Sequence, residues 1–285
     1  MNKKKPTILV SNDDGYQAKG IKALVSMISD LADVVVCAPD SGRSGYSCAF
    51  SAALPITIKE QKSIENFPVW SCSGTPVDCI KIAIDKWFKD EKPTLILSGI
   101  NHGDNANNHY SGTVGVAKEG CMKGIPSIAF SLCNERSDAD FEPLRPYIRT
   151  IVKQVLEESL PQNTLLNVNF PNLPTFKGVK VCRMSHGYWD KEVENRNHPF
   201  GHEYHWLAGH FFNSEPNSED TDRWALDNGY VAITPTTIDK SADHNVIWIL
   251  TQNAAGILYS WKSWTNPVKK SLICYSPSLA TGGLY

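Results

Sequence analysis

The chain has 285 residues, 41% of them hydrophobic, and its 28 basic and 30 acidic side chains leave a formal net charge of -2. This length and apolar content are sufficient to bury the core of one large α/β domain with a smaller appendage. The nearly balanced charge argues against a nucleic-acid backbone or a membrane surface as the main partner.

Cysteine usage and hydropathy predict a cytoplasmic protein. Eight cysteines are present and none forms a C-x-x-C pair, so we expect buried free thiols in a reducing compartment. The apolar stretch near the N-terminus, Thr7 to Val10, is too short for a signal peptide. No segment approaches the ~20 apolar residues that a membrane-spanning helix needs.

Strand and helix patterns alternate along the first two-thirds of the chain. Short apolar runs typical of buried strands occupy residues 7–11, 33–38, 94–98, 126–131 and 165–170. Helical spacing or a helix-start sequence marks the segments between them, at residues 21–31, 75–86, 114–122 and 147–156. This alternation predicts an α/β fold with a doubly wound, mostly parallel sheet and helices on both faces.

The alternation stops after Pro171, where aromatic residues and histidines become frequent. We therefore divide the chain into three parts. These are an α/β catalytic core (1–172), a β-rich arm with a final core strand (173–240), and an atypical tail of unassigned structure (241–285).

The tetrapeptide NDDG directly follows the first predicted strand. Ligands of open α/β sheets bind beyond the carboxyl ends of the strands, which is where Asp13 and Asp14 are expected. Neighbouring carboxylates repel unless a positive charge lies between them, and a hard cation such as Mg²⁺ or Mn²⁺ provides one. Taken alone, the tetrapeptide also fits an ordinary Asx turn before a helix.

Three further loops are predicted at the same edge of the sheet. The loop at 41–45 is rich in Ser, Gly and Arg and suits phosphate, Asn101 offers a neutral oxygen to a cation, and the sequence SGT at 111–113 begins a helix. Each has a plainer interpretation, as a flexible loop, a turn residue and a helix cap. Together they indicate a cation beside an anion site, which is typical of phosphoryl chemistry.

With these residues assembled, the sequence resembles the SurE family of 5′-nucleotidases. The matching segments run in order from residue 8 to about residue 235 and together are highly specific. They are ILVSNDDGYQAKGI, VVVCAPDSGRSGYS, SGTPVDCIKIA, LILSGINHGDN, YSGTVGVAKEG, GIPSIAFSL, LNVNFPN, HPFGHEYHWLAG and DNGYVAITP.

The resemblance implies a Rossmann-like core, arms that join subunits into a homodimer or homotetramer, and a metal-dependent phosphatase acting on nucleoside 5′-monophosphates. Activity on 3′-nucleotides and short polyphosphate is a further expectation. One Mg²⁺ or Mn²⁺ per subunit is expected, and the ligands carried over by position are Asp13, Asp14, Ser44 and Asn101. The residues expected beside the phosphate are Ser111, Gly112 and Thr113.

Asp13 and Asp14 are also the predicted catalytic residues, since one of them can take a proton from the attacking water. Two departures from the family stand out. The loop from Asn101 to Tyr110 is about two residues shorter by our comparison, and the sequence after residue 240 does not resemble the family's polar C-terminal helix.

Several histidines invite other interpretations. His102 and His109 flank the predicted site, where each either assists proton transfer or simply faces water. A zinc site is disfavoured in the arm, because no H-E-x-x-H motif or cysteine pair accompanies its histidines. The arm histidines are His198, His202, His205 and His210.

Two alternatives from other classes remain at this point. A Mg²⁺-binding receiver-like signalling domain also carries an acidic pair after its first strand, but it needs a phospho-accepting Asp where this chain has Asn101. A nucleotide-binding protein without catalysis needs nearly the same groups as a phosphatase. A haloacid-dehalogenase-type phosphatase is disfavoured, because no D-x-D motif follows the first strand.

Overall fold

The computed structural model describes residues 5–241. Within that range the strands are β1 (Thr7–Ser11), β2 (Asp33–Pro39), β3 (Ile58–Ile64), β4 (Phe67–Cys72), β5 (Leu95–His102), β6 (Ser127–Leu132), β7 (Thr164–Phe170), β8 (Val179–Val181), β9 (Gly187–Asp190), β10 (Val193–Asn197), β11 (Glu203–Leu207), β12 (His210–Asn213) and β13 (Val231–Thr237). The α-helices are α1 (Lys19–Ile28), α2 (Pro76–Trp87), α3 (Gly112–Met122), α4 (Arg145–Glu158) and α5 (Asp222–Asp227). The predicted atypical tail lies, except for its first residue, outside this range.

The central sheet has nine strands in the order β3-β4-β2-β1-β5-β6-β7-β13-β8. The six strands from β4 to β7 run parallel, while β3 and β13 pair antiparallel with β4 and β7. The chain moves outward from β1 through β2 and then returns to β5 on the other side of β1. The predicted doubly wound, mostly parallel α/β sheet is therefore confirmed, and a topological switch point lies between β1 and β5.

Helices cover both faces of this sheet. On one face, α1 and α4 pack through apolar side chains such as Leu24 and Ile148, both fully buried. On the other face, α2 and α3 contribute Ile80 and Val116 to a second cluster. Burial of such a side chain stabilises the fold by roughly 1.5–3 kcal/mol, and Leu24→Ala would cost about 2–5 kcal/mol because the cavity fills only in part.

The start of α2 follows the predicted capping pattern. Thr75 caps the helix by accepting a hydrogen bond from the backbone N–H of Asp78 at 3.2 Å. The Asp78 carboxylate accepts the N–H of Thr75 in return at 2.9 Å, which completes a capping box. Pro76 occupies the first helical turn, where a missing N–H costs nothing.

One element boundary matters for the site. The predicted strand at 94–98 continues to His102, because the backbone bulges after Ser98 and then pairs Asn101 and His102 with the end of β6. The expected long polar loop therefore begins only at Gly103, and Asn101 is fixed by sheet hydrogen bonding rather than by a loop.

Within the predicted arm region (173–240), the segment between β8 and β13 contains two antiparallel strand pairs that lie outside the central sheet. From here on, "the arm" means these residues, 187–213. In it β9 pairs with β12, and β10 pairs with β11. Strand β13 then re-enters the central sheet between β7 and β8. No helix in the described part of the chain is long and apolar enough to cross a membrane.

Candidate functional site

The carboxyl ends of β1 and β5 flank the switch point, and the residue pair Asp13 and Asp14 follows β1 there. Asp13 is buried, with 3% of its surface exposed, and Asp14 is half-buried. The start of α3 and the loop after β2 contact Asp13, and the end of β5 contacts Asp14. Four segments that are distant in the sequence therefore meet at the acidic pair.

The turn that presents the pair is built by its neighbours. Asn12 Oδ1 accepts the N–H of Gly15 at 3.1 Å, and Asn12 Nδ2 donates to the Gly15 carbonyl at 3.0 Å. Gly15 adopts φ +101°, a conformation that favours glycine. These bonds close the turn locally and do not cap a helix, because α1 begins after Ala18 with no side-chain cap. The helix-capping Asx turn that the tetrapeptide also fits is therefore not formed, and the side chain that closes the turn is that of Asn12 rather than of either aspartate.

Asp13 is held by the first turn of α3. The Thr113 hydroxyl donates to Asp13 Oδ1. A Cβ at Gly112 would lie 2.8 Å from Asp13 Cβ and 2.9 Å from Asp13 Oδ2, so only glycine allows this approach. The predicted phosphate-binding sequence and the predicted acidic pair are therefore in direct contact.

The surroundings of the acidic pair disfavour the ionised form of both carboxyl groups. The pKa of Asp13 is raised from an ordinary value of 3.8 to about 6, mainly because burial disfavours the charged form. The Thr113 hydrogen bond opposes this rise and the nearby Asp14 charge adds to it. Burial also raises the pKa of Asp14, against the lowering effect of the His102 N–H, which donates to Asp14 Oδ2 at 3.2 Å. A cation between the two carboxylates would remove this penalty.

Asn101 lies on β5 next to the residue that binds Asp14. Its Nδ2 donates to the Gly103 carbonyl at 2.9 Å, which leaves the side-chain oxygen as the group that can bind a cation. Among residues 5–241 no group of three or more His, Cys, Asp and Glu side chains is arranged to hold a metal ion. Further ligands for a cation at the acidic pair would therefore be neutral oxygens.

Ser44 lies in an exposed turn after β2. The turn is tied to the site by its neighbour Arg43, whose backbone N–H donates to the Asp13 carbonyl at 2.7 Å. The Arg43 guanidinium bonds Asp40 Oδ1 at 3.2 Å and the Ser73 carbonyl at 3.4 Å. The backbone is thus anchored beside Asp13, while Ser44 itself remains open to solvent.

Ser111 is the N-terminal cap of α3. Its hydroxyl caps α3 by accepting the N–H of Val114 at 3.0 Å. The loop after β2 packs directly on this helix end, since a Cβ at Gly115 would come within 2.2 Å of the Ser47 carbonyl. The positive end of the α3 dipole thus lies beside the acidic pair.

His102 and His109 differ in burial. His102 is half-buried, with its ring edge against Phe141 at 5.1 Å between centroids, while His109 is exposed. In the arm, the rings of His198 and His202 stack at 4.3 Å, and His205 Nδ1 bonds Asn195 at 2.7 Å.

A buried network of amide side chains, which the sequence motifs do not predict, lies at the ends of β6 and β7. Asn105 N donates to Asn169 Oδ1 at 2.7 Å, and Asn105 Nδ2 donates to the Ser131 hydroxyl at 2.6 Å. Asn167 Nδ2 donates to the Asn105 carbonyl at 2.7 Å. The network fixes the loop after β5 to strands β6 and β7. The sequence feature that indicates this network is the spacing of Asn167 and Asn169, because residues two apart in a strand lie on the same face.

The fold and this arrangement define a class: a doubly wound α/β protein with an acidic pair and a helix N-terminus at its switch point. The family model described as Survival protein SurE matches residues 8–191. A Bacteroides thetaiotaomicron protein named 5′-nucleotidase SurE is 54% identical over 244 residues, 85% of this chain and 94% of that protein. A Flavobacterium johnsoniae protein of the same name is 44% identical over 86% of this chain and 96% of its own. The crystal structure of the SurE protein from Aquifex aeolicus has a TM-score of 0.73 and 38% identity, covering 88% of this chain and 99% of that one.

The chain belongs to the SurE family. The match to the family model includes the acidic pair, the loop after β2, Asn101 and the first turn of α3. The resemblance inferred from the sequence motifs is thereby confirmed.

Proposed function

We propose that the protein is a metal-dependent phosphatase that hydrolyses nucleoside 5′-monophosphates to nucleoside and phosphate. The observation that carries the proposal is the buried Asp13 carboxylate, which lies beside Asp14 and in contact with the N-terminus of α3. This arrangement offers one position for a cation and an adjacent one for an anion. The relatives named 5′-nucleotidase SurE support the choice of substrate.

The donor set fits one hard divalent cation, Mg²⁺ or Mn²⁺. Two carboxylates whose pKa values are raised by burial favour a cation between them, and hydroxyl and amide oxygens complete a set of oxygen ligands. The residues that would hold it are Asp13, Asp14, Ser44 and Asn101. When bound, the cation supplies charge neutralisation at the phosphate and lowers the pKa of water.

The chain's own residues have distinct roles in this proposal. The backbone N–H groups of Gly112 and Thr113 face the anion position at the helix end, where the dipole favours negative charge. The Thr113 hydroxyl fixes the Asp13 carboxylate, so that Asp13 or Asp14 can accept a proton from the attacking water. His102 and His109, whose imidazoles flank the site, are the candidates to donate a proton to the departing ribose oxygen.

Phosphate release from AMP in the presence of Mn²⁺ tests the activity. Asp13→Asn and Asp14→Asn should each lower the rate by at least ~100-fold, the scale for losing a preorganised charged group. Asp90→Asn, at an exposed aspartate in the α2–β5 connection, is the matched control and should have wild-type activity. Tight AMP binding without turnover would instead identify a non-catalytic nucleotide-binding protein, and a stable acyl-phosphate formed from acetyl phosphate would identify a receiver-like domain.

We also propose 3′-nucleotides and short polyphosphate as secondary substrates, and the same phosphate-release assay tests them. Both present a phosphate with few requirements beyond the cation and the helix end. Hydrolysis of AMP alone would restrict the enzyme to 5′-nucleotides.

We further propose that the arm joins subunits into a homodimer or homotetramer, and that the enzyme acts in the cytoplasm with nucleotides rather than nucleic acid or membrane as partners. Phe200, Trp206 and Phe212 are each more than half exposed in the single chain. That much aromatic surface favours coverage by another subunit.

The cytoplasmic location is supported by the cysteines. The seven cysteines of the described range are free, as is usual in a reducing compartment. The division at residues 172 and 240 is retained as part of this proposal.

A further inference from the structure

Two exposed tyrosines flank the candidate site. Tyr46 has 48% of its surface exposed and Tyr110 has 61%. They lie on different loops, yet the loops are joined: Ser47 N donates to the Tyr110 carbonyl at 3.1 Å, and the Ser47 hydroxyl donates to the His109 carbonyl at 2.9 Å. The two aromatic residues therefore belong to one local surface.

This surface is coupled to the acidic pair through short backbone connections. Tyr46 N donates at 3.3 Å to the carbonyl of Arg43, whose own N–H bonds the Asp13 carbonyl at 2.7 Å. On the other loop, Tyr110 lies two residues before Gly112, which contacts the Asp13 side chain. Both tyrosines are thus held within a few residues of groups that touch Asp13.

The groups that contact the acidic pair account for the phosphate half of a nucleotide only. They are the backbone N–H groups of Arg43 and His102, the Thr113 hydroxyl and Gly112, and none of these groups is an aromatic ring. A nucleobase is a flat π-system, and aromatic side chains bind any base through its face with little dependence on base identity. Exposed tyrosine rings beside a phosphate site match that requirement.

We propose that Tyr46 and Tyr110 form the surface on which the nucleobase of the substrate stacks. The inference rests on the proposed nucleotidase function and adds its substrate selectivity. The enzyme selects nucleotides over base-free phosphomonoesters by stacking and tolerates different bases, because stacking reads a face rather than a hydrogen-bonding edge.

Another exposed aromatic residue on the same segment supplies the matched control. Phe50 is 60% exposed, but the Lys81 ammonium lies 5.7 Å from its ring centroid and covers one face. Phe50→Leu removes an exposed ring from the segment while leaving both tyrosines in place.

The test compares kcat/KM for AMP with kcat/KM for ribose 5-phosphate, which carries the same phosphate and sugar without a base. Tyr46→Leu and Tyr110→Leu should each lower the AMP to ribose 5-phosphate ratio by about fivefold to 100-fold, the range for losing one base–aromatic stack. Tyr46→Phe and Tyr110→Phe should keep the wild-type ratio, because the ring remains. Phe50→Leu should also keep it.

The outcomes separate this inference from the function on which it rests. A wild-type enzyme that hydrolyses both substrates equally well, or Leu variants that lose both activities in parallel, would overturn the stacking surface and leave the phosphatase standing. A wild-type protein that hydrolyses neither substrate would overturn both. Tyr46 lies in a turn, so Tyr46→Leu decides the matter if Tyr110→Leu does not fold.

Discussion

Replacing Gly112 by alanine tests the contact between α3 and the acidic pair. The added Cβ would lie 2.8 Å from Asp13 Cβ and 2.9 Å from Asp13 Oδ2, so one of the two residues must move. Overpacking of this kind costs about 1–3 kcal/mol, while the change from glycine to alanine in a helix returns up to ~1 kcal/mol. The free energy of unfolding should therefore fall by no more than about 3 kcal/mol.

Activity should fall strongly even though the protein remains folded. Misplacing a reacting group by about 1 Å costs on the order of 100-fold in rate, and here the displaced group is the Asp13 carboxylate itself. The assay is kcat/KM for phosphate release from AMP, with urea unfolding of the same preparation. Gly42→Ala is the control, because its Cβ would meet nothing closer than the Asp14 carbonyl at 3.9 Å. A folded Gly112→Ala protein with the activity of Gly42→Ala would refute the reasoning.

Three further outcomes are expected. Ser44→Ala and Asn101→Ala should raise the Mn²⁺ concentration needed for half-maximal activity, since each removes one neutral oxygen ligand; titration curves that overlay the wild type would show that neither residue binds the metal. Burial raises the pKa of Asp222 from 3.8 to about 6, so the folded state holds a proton that the unfolded state releases, and stability falls as the pH rises between those values. Asp222→Asn should remove that loss of stability, which is on the order of 3 kcal/mol. The measurement is the urea midpoint at pH 4 and at pH 7, and a change between the two pH values that is equal in the wild type and the variant would contradict the prediction. Trp206→Ala should weaken the oligomer in sedimentation, and a wild-type monomer of 31.6 kDa would exclude the arm as an interface.

The parts of the fold that sequence predicts well are those fixed by neighbours in the chain. The strand TILVS spans Thr7–Ser11 as predicted, because a continuous apolar run bounded by a turn leaves few alternatives. The cap at Thr75 likewise depends only on residues up to Asp78. By contrast, the extension of β5 to His102 depends on pairing with β6 after a bulge, and no local pattern encodes that register.

The candidate site divides in the same way. The position of Asp13 and Asp14 directly after a strand predicts their place in the site, and that position is a local property of the sequence. The Thr113 hydroxyl that binds Asp13 lies 100 residues away, and the closeness of the two follows from helix packing against the sheet. At Asn101 the sequence pattern fits a turn residue as well as a cation ligand, and at Ser111 it fits a helix cap as well as a phosphate contact. At Ser111 the structure shows the cap, and the contact with phosphate stays a prediction.

The insertion of the arm between two adjacent strands has a consequence for how the molecule can change. At the base of the arm Gly187 lies directly opposite Asn213, so the excursion leaves and returns at a single place. The entropy of closing a loop grows by only about 0.6 kcal/mol for each doubling of its length. We therefore expect insertions, deletions or an exchange for another hairpin between these residues to leave the register of the nine-stranded sheet intact, so that this segment can change in length without moving the strands that carry the acidic pair.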